Sequence, residues 1–280
     1  RPAAVFTLVS EISDSSEFSF NVSAEFENIT GEKEKIEIDF GKETENWRKF
    51  YDSHKIELSH DFDEQVAEVL ERNRLEIEKA IEEMGYDKAI IVPANLDVVE
   101  LHQATTEGYK ETFQYNSFKK AGGFEAITTP NADKLRIILV HEKDAQNNNN
   151  HPILKELRGK SVITLAGLAG ISQEKVQELL DSGGEIPMQI KIKGRIFNFK
   201  GLDVLAYLIW QKDHCERNGG KYIDENNWST LPGSSIGKSV SGRRVPVLAW
   251  DPGVGRLNAL AYEPDGASDI LAPRPAAVFT

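Results

Sequence analysis

The sequence predicts an α+β fold in two parts, an acidic α+β module over residues 8–146 and a loop-rich domain over 151–280. Apolar–polar alternation near the N-terminus marks strands. Apolar residues at three- and four-residue steps between 62 and 84 mark a helix. After Gly219-Gly220 the chain is rich in Gly, Pro and Asn and loses helical pattern.

Taken in order, Phe18 to Phe26 and Lys35 to Phe40 alternate on either side of Asn28-Ile-Thr-Gly31, which reads as a hairpin. Phe62, Val66, Val69, Ile77, Ala80 and Met84 line one helix face; Asp61 and Glu64 suit a capping box and Gly85 a stop. Lys88 to Pro93 and Leu135 to His141 are apolar runs of buried-strand length. Gln146 and Asn147–Asn150 form a polar tract expected to link the two parts. Ser172 to Leu180 reads as a capped helix closed by Gly183-Gly184. Ile186 to Ile192 and Arg195 to Phe199 read as strands joined at Gly194, and Leu202 to Arg217 as a second strong helix.

The last stretch, Ser239 to Thr280, mixes rigid and interchangeable residues. Arg244-Val245-Pro246, Trp250, Pro252, Leu257, Pro264-Asp265, Leu271 and Arg274-Pro275 set backbone and core. Between them lie Val247-Leu248-Ala249, Gly253-Val254-Gly255 and Gly266 to Asp269, which show neither helical nor strand period. Such a pattern suits a scaffold presenting replaceable residues better than an active site.

Composition narrows the function classes. A chain of 280 residues that is 40% apolar can bury a sizeable core. Its net charge of −12 is uneven: residues 1–145 carry 17 basic and 31 acidic side chains, residues 146–280 carry 16 and 14. An acidic front half argues against nucleic-acid binding, which needs clustered Lys and Arg. Cys215 is the single cysteine, so an internal disulfide and a cysteine zinc cluster are excluded. No apolar run of membrane-spanning length and no signal-peptide pattern occur, so a cytoplasmic location and no membrane insertion are expected. The sequons at Asn21 and Asn28 are read as chance matches.

Residues 1–7, Arg-Pro-Ala-Ala-Val-Phe-Thr, recur identically at 274–280. No other internal repeat supports a tandem unit of period 273, so an artefact of the sequence record is the favoured reading.

Chemical motifs are near misses. Gly233-Ser-Ser-Ile-Gly237-Lys238-Ser239 resembles a phosphate-binding loop, but has three residues between its glycines where four are needed, and extended chain follows. His54 and His60 flank Asp61 and Asp63 without metal-ligand spacing, so no metal site and no cofactor are expected. His214 and Glu216 adjoin Cys215 but do not share its helical face. Trp228 and Trp250 are expected in the core. Tyr262, among interchangeable residues, is a candidate surface contact.

The frame Trp228-Ser-Thr-Leu-Pro-Gly233, Arg244-Val-Pro246, Trp250-Asp-Pro252, Leu257, Pro264-Asp265 and Leu271-Ala-Pro-Arg-Pro-Ala276 resembles the C-terminal domain of variable proteins diversified by diversity-generating retroelements. Thr106 to Thr112, Phe118 to Phe124 and Lys134 to Leu139 are similar to uncharacterised proteins of small-genome prokaryotes that carry the same tail. The resemblance spans roughly residues 60–280 and implies a C-type-lectin-like fold for the tail, related in shape to sulfatase-modifying enzymes.

In that family adenine mutagenesis turns Asn codons into codons that exclude Trp, Gln, Lys, Met and Glu. Between Val247 and Asp269, 18 positions remain once five framework residues are set aside, and only Glu263 falls outside the permitted set. Ordinary composition would put roughly a fifth outside. The resemblance implies a non-catalytic binder whose variable residues are Val247, Leu248, Ala249, Gly253, Val254, Gly255, Asn258, Leu260, Tyr262, Ala267, Ser268 and Asp269. Trp228, Trp250, Pro252, Pro264 and Arg274 would be scaffold, the ligand a protein or peptide, and an oligomer is compatible. Two alternatives stay open. One is an enzyme or nucleotide-binding protein on a lectin-like scaffold; the other makes Val247 to Asp269 an ordinary core strand pair with its loops.

Overall fold

A computed structural model describes residues 20–143, 145, 151–225, 227–237 and 242–280. Helices and sheets alternate in an α+β fold. The front half runs β1 (Asn21–Glu27), β2 (Lys33–Asp39), α1 (Phe40–Ser53), α2 (Phe62–Arg72), α3 (Arg74–Met84), β3 (Lys88–Val92), α4 (Val98–Thr106), β4 (Glu111–Gln114), α5 (Asn116–Lys120), β5 (Ile127–Thr128) and β6 (Arg136–Val140). The back half runs α6 (Pro152–Leu157), α7 (Val162–Leu168), α8 (Gln173–Ser182), β7 (Met188–Ile192), β8 (Arg195–Gly201) and α9 (Val204–Arg217). It ends with β9 (Trp228–Thr230), β10 (Ser235–Ile236), β11 (Val245–Asp251), β12 (Arg256–Tyr262), β13 (Leu271–Pro273) and β14 (Pro275–Phe279).

Two five-stranded sheets organise the chain. The first has the order β3-β6-β14-β8-β7, all neighbours antiparallel. The second has the order β13-β9-β11-β12-β4, antiparallel at its centre and parallel at both edges. Each sheet draws strands from both sides of residues 146–150. The expected division at that tract is therefore a division of sequence only: β14 inserts between β6 and β8, and β4 adds to β12.

Helix α1 docks on β3 through two buried rings, Trp47 Nε1 donating to the Ala89 carbonyl at 2.8 Å and Tyr51 Oη to that of Ile91 at 2.6 Å. Strands β3 and β6 are buried throughout, which is why they read as continuous apolar runs. The single helix expected over 62–84 is two. It breaks at Asn73, whose side chain donates to the Val69 carbonyl and competes with the backbone ladder. Asp61 makes no side-chain cap at the start of α2, whereas Gly85 takes the left-handed conformation that ends α3.

The tail is richer in strand than its composition suggests. Val247, Leu248 and Ala249 are all buried, so β11 is covered on both faces and shows no alternation to read. The second copy of the terminal heptad is Arg274, strand β14 and Thr280, while the first copy lies outside the described residues.

Arg274 stands where the chain crosses from one sheet to the other, between β13 and β14. It is 2% exposed. Its guanidinium pairs with buried Asp224, donates to Ser229 Oγ at 2.8 Å and to the Ala145 carbonyl at 2.9 Å, and lies over the Trp210 ring. Asp224 also accepts from Ser229 Oγ. Nearby, Gly201 and Gly233 let two backbones touch; a Cβ on Gly233 would lie 2.7 Å from the Asp203 nitrogen and collide with the Gly201 carbonyl.

Arg274→Ala strands Asp224 as an unpaired buried charge, and urea unfolding is expected to register a loss of about 3–5 kcal/mol. Arg274→Met with Asp224→Asn should cost clearly less than the sum of the two single changes. Gly233→Ala, which adds one methyl against backbone, is expected to cost roughly 2 kcal/mol or more in the same assay.

Candidate functional site

The register of the second sheet sorts the candidate residues by face. Opposite residues on paired strands share a face. Val247 pairs with Leu260 and Ala249 with Asn258, so these four point to one side, as does Tyr262 through its pairing with Val245. Leu248 with Ala259, and Trp250 with Leu257, point to the other side and enter the main core. Leu248 is thus a core residue and cannot serve as a surface contact.

The outward face does not expose all that it carries. Val247, Ala249 and Asn258 are 0%, 1% and 3% exposed. They are covered by aromatic side chains. Trp228, one step before the Ser229–Leu248 pair, lies level with Ala249, and Phe113 of β4 pairs with Asn258. Tyr115 follows β4 and donates its backbone N–H to the Ala259 carbonyl at 2.9 Å. The rings of Tyr115 and Trp228 meet edge to face with centroids 5.7 Å apart, and Phe113 abuts Tyr115 at 4.9 Å. Trp228 is accordingly a half-buried face residue, where the core was expected for it.

One guanidinium and two carboxylates meet at this face. The Arg256 guanidinium lies 4.4 Å from the Phe113 ring centroid, and its carboxylate partners are Glu111 at 3.2 Å and Asp251 at 3.8 Å. Asn258 Oδ1 is buried without a hydrogen-bond partner.

The remaining candidates sit around the rim. Gly253 and Val254 are exposed and Gly255 half-buried in the turn from β11 to β12. Ala267 and Asp269 are exposed and Ser268 half-buried before β13, where Arg158 donates to the Asp269 carbonyl. Leu260 and Tyr262 are half-buried; the Tyr262 ring lies over Gly266, where a Cβ would strike it. Among the scaffold residues, Trp250 is buried and stacks on Tyr222 at 3.6 Å with Tyr109 edge-on at 4.8 Å. Pro264 is buried and Pro252 is exposed in its turn.

Other chemistry-bearing groups are committed elsewhere. Ser235 and Ile236 are strand β10, paired with β5; Gly242 and Arg243 lead straight into β11, with no helix among the described residues there. Lys238 and Ser239 lie outside the described residues. The His54 ring nitrogens face two acceptors, the Phe50 carbonyl at 2.8 Å and a Glu216 carboxylate oxygen at 3.1 Å, and Asp63 pairs with Arg48. Burial pushes the Glu142 carboxyl up, but bonds from His214 and Trp210 outweigh it and hold it at about 2. Arg217 and Asp213 extend that network. Cys215 is buried. Among the described residues no helix is long and apolar enough to cross a membrane. No family model, curated protein or solved structure matches the chain.

Sequence reasoning missed a buried histidine pair. His141 and His151 lie with ring centroids 4.0 Å apart, and His141 meets the Tyr86 ring at 4.7 Å. Burial first, and then the nearby Arg274 charge, lower His151 to about 4. Burial, with His151 beside it, takes His141 well below its ordinary value. Neutral His151 caps α6, its Nδ1 accepting from the Ile153 nitrogen.

Because the folded state disfavours proton uptake, this contribution is whole above the unfolded value of 6.5 and is lost as pH falls toward 4. Asp87, raised by burial to about 6, acts in the opposite sense. A His151→Asn variant retains a capping acceptor and removes the titration. Relative to it, the wild-type chain is expected to lose on the order of 3 kcal/mol of unfolding free energy between pH 6.5 and pH 4. Denaturant titrations of both proteins across that range provide the check.

Proposed function

We propose that this chain is a non-catalytic ligand-binding protein of the retroelement-diversified kind, with a C-type-lectin-like tail. Its binding surface is the outward face of the β13-β9-β11-β12-β4 sheet. The observation that carries the reading is the segregation of the candidate positions. Five of the six candidate positions on β11 and β12, Val247, Ala249, Asn258, Leu260 and Tyr262, share one face with the framework residue Val245, while Leu248 and the framework residues Trp250 and Leu257 fall on the core face. A surface built this way exchanges side chains without disturbing the packed side, and the backbone entropy cost has already been met by folding. The ligand class that suits a weakly charged face with part-exposed Tyr and Trp is protein or peptide.

An enzyme or nucleotide-binding reading has less support: the Gly233 segment touches the N-terminus of α9, but the Val204 and Ala206 N–H groups there are already bonded to Ser234 and Asp203, and no helix follows the segment among the described residues.

Deep sequencing of the DNA encoding residues 239–280 across a natural population provides the test. Substitutions should concentrate at Val247, Ala249, Asn258, Leu260 and Tyr262 and at the rim turns, beside a near-identical template differing at adenines. Leu248, Trp250, Leu257, Ala259 and Ala261 should stay constant, whatever their codons. Uniform sequence at the five face positions with no template in the locus would sink the proposal.

A further inference from the structure

The rings of Tyr115 and Trp228 are closer than their strands allow without leaning. Strands β4 and β9 are separated by β12 and β11, so three spacings of about 4.8 Å put their backbones roughly 14 Å apart. The centroids are nonetheless 5.7 Å apart. Both rings therefore reach inward across the sheet and form a roof, which accounts for the burial of small residues at the middle of a sheet's outer face. Tyr115 is 36% exposed and Trp228 half-buried, so the roof's outer side meets solvent. Under it lie two apolar side chains, Val247 and Ala249, and one amide, Asn258, whose Oδ1 is buried and unpartnered. An unmet buried acceptor costs about 1–3 kcal/mol, so a ligand that supplies its donor recovers that cost on binding.

Resting on the binding-face reading, we propose that Tyr115 and Trp228 are the two jaws of a recognition site for a partner polypeptide. The jaws part to admit one planar, uncharged side chain bearing an N–H donor, the carboxamide of Asn or Gln or the indole of Trp, and Asn258 Oδ1 accepts its hydrogen bond. Each part of the specificity has a cause. A slot lined by one ring face and one ring edge admits a flat group. The carbonyl of the Asn258 amide selects a donor. The apolar floor, and an Arg256 already engaged by Glu111 and Asp251, leave no counter-charge for a carboxylate side chain, which would meet the desolvation penalty of burial unpaired. The jaws belong to opposite halves of the sequence, so the front half contributes directly to recognition.

The test uses the full chain and a random dodecapeptide library displayed on phage. Selected peptides should share an Asn, Gln or Trp. Their synthetic forms should bind at least tenfold more weakly to Asn258→Leu and to Tyr115→Ala. Asn258→Leu removes an unsatisfied acceptor, so its urea midpoint should equal or exceed that of the wild type, which separates lost recognition from lost folding. Replacing the shared residue by Glu in the peptide should abolish binding.

Peptides that bind Asn258→Leu as well as wild type, yet lose binding to Leu260→Arg, would overturn the jaw site and leave the binding face standing. Peptides indifferent to all three substitutions would overturn both. Failure to select any peptide, together with no change in tryptophan fluorescence on adding free acetamide at high concentration, would also overturn the jaw site.

Discussion

The ion pair between Arg274 and Asp224 is the constraint on which the two sheets depend. It sits at the single step where β13 of one sheet becomes β14 of the other, and both partners are almost wholly withdrawn from solvent. A buried charge is tolerable only with its partner and its hydrogen bonds in place. Here those bonds recruit Ser229 from β9, the Ala145 carbonyl beyond β6 and the Trp210 ring of α9. The backbone of Arg274 adds two more ties, donating to Thr230 and accepting from Leu202. One residue thereby sets the positions of the strands that frame the outward face.

The same crossing makes the halves inseparable. Strand β14 takes a central place in a sheet otherwise built from β3, β6, β8 and β7. The front half therefore cannot complete its buried strands until the end of the chain arrives. In return it lends β4, with Phe113 and the following Tyr115, to the sheet that carries the candidate face. The acidic front half, separate in sequence, supplies one edge of the sheet that bears the candidate face.

Local patterns were legible where one face of an element is wet. The β1–β2 hairpin, and α8 with its Ser172 cap and Gly183 stop, follow from period and capping residues. The break at Asn73 was not, since it comes from a side chain competing for a carbonyl and not from Gly or Pro. Strand β11 was hidden for a different reason, its residues being buried on both sides. Arg274 was visible as a rigid position, but Asp224 lies fifty residues away in a loop that carries no motif. The polar tract at 146–150 was readable as a break in pattern. Whether a break separates domains depends on pairings between distant strands, and those leave no local mark. The candidate face was half legible: its residues were named, but only the register shows that Leu248 turns away and that aromatic rings cover three of the others.

That covering changes what diversification would mean for this chain. On an open sheet face each exchanged side chain alters the ligand contact at its own position. Beneath the Tyr115–Trp228 roof, an exchange at Val247, Ala249 or Asn258 alters the volume that supports two rings. Interiors packed to crystal-like density do not absorb added methylene groups in place. A larger residue at Ala249 would lift the roof, and a smaller one at Val247 would let it settle. Substitution at one buried position would then be felt at the aromatic surface above it, and its effect would not add simply to that of its neighbours. Few positions on such a face produce more distinct shapes than their number suggests, because each acts both as a contact and as a shim beneath the fixed aromatic contacts.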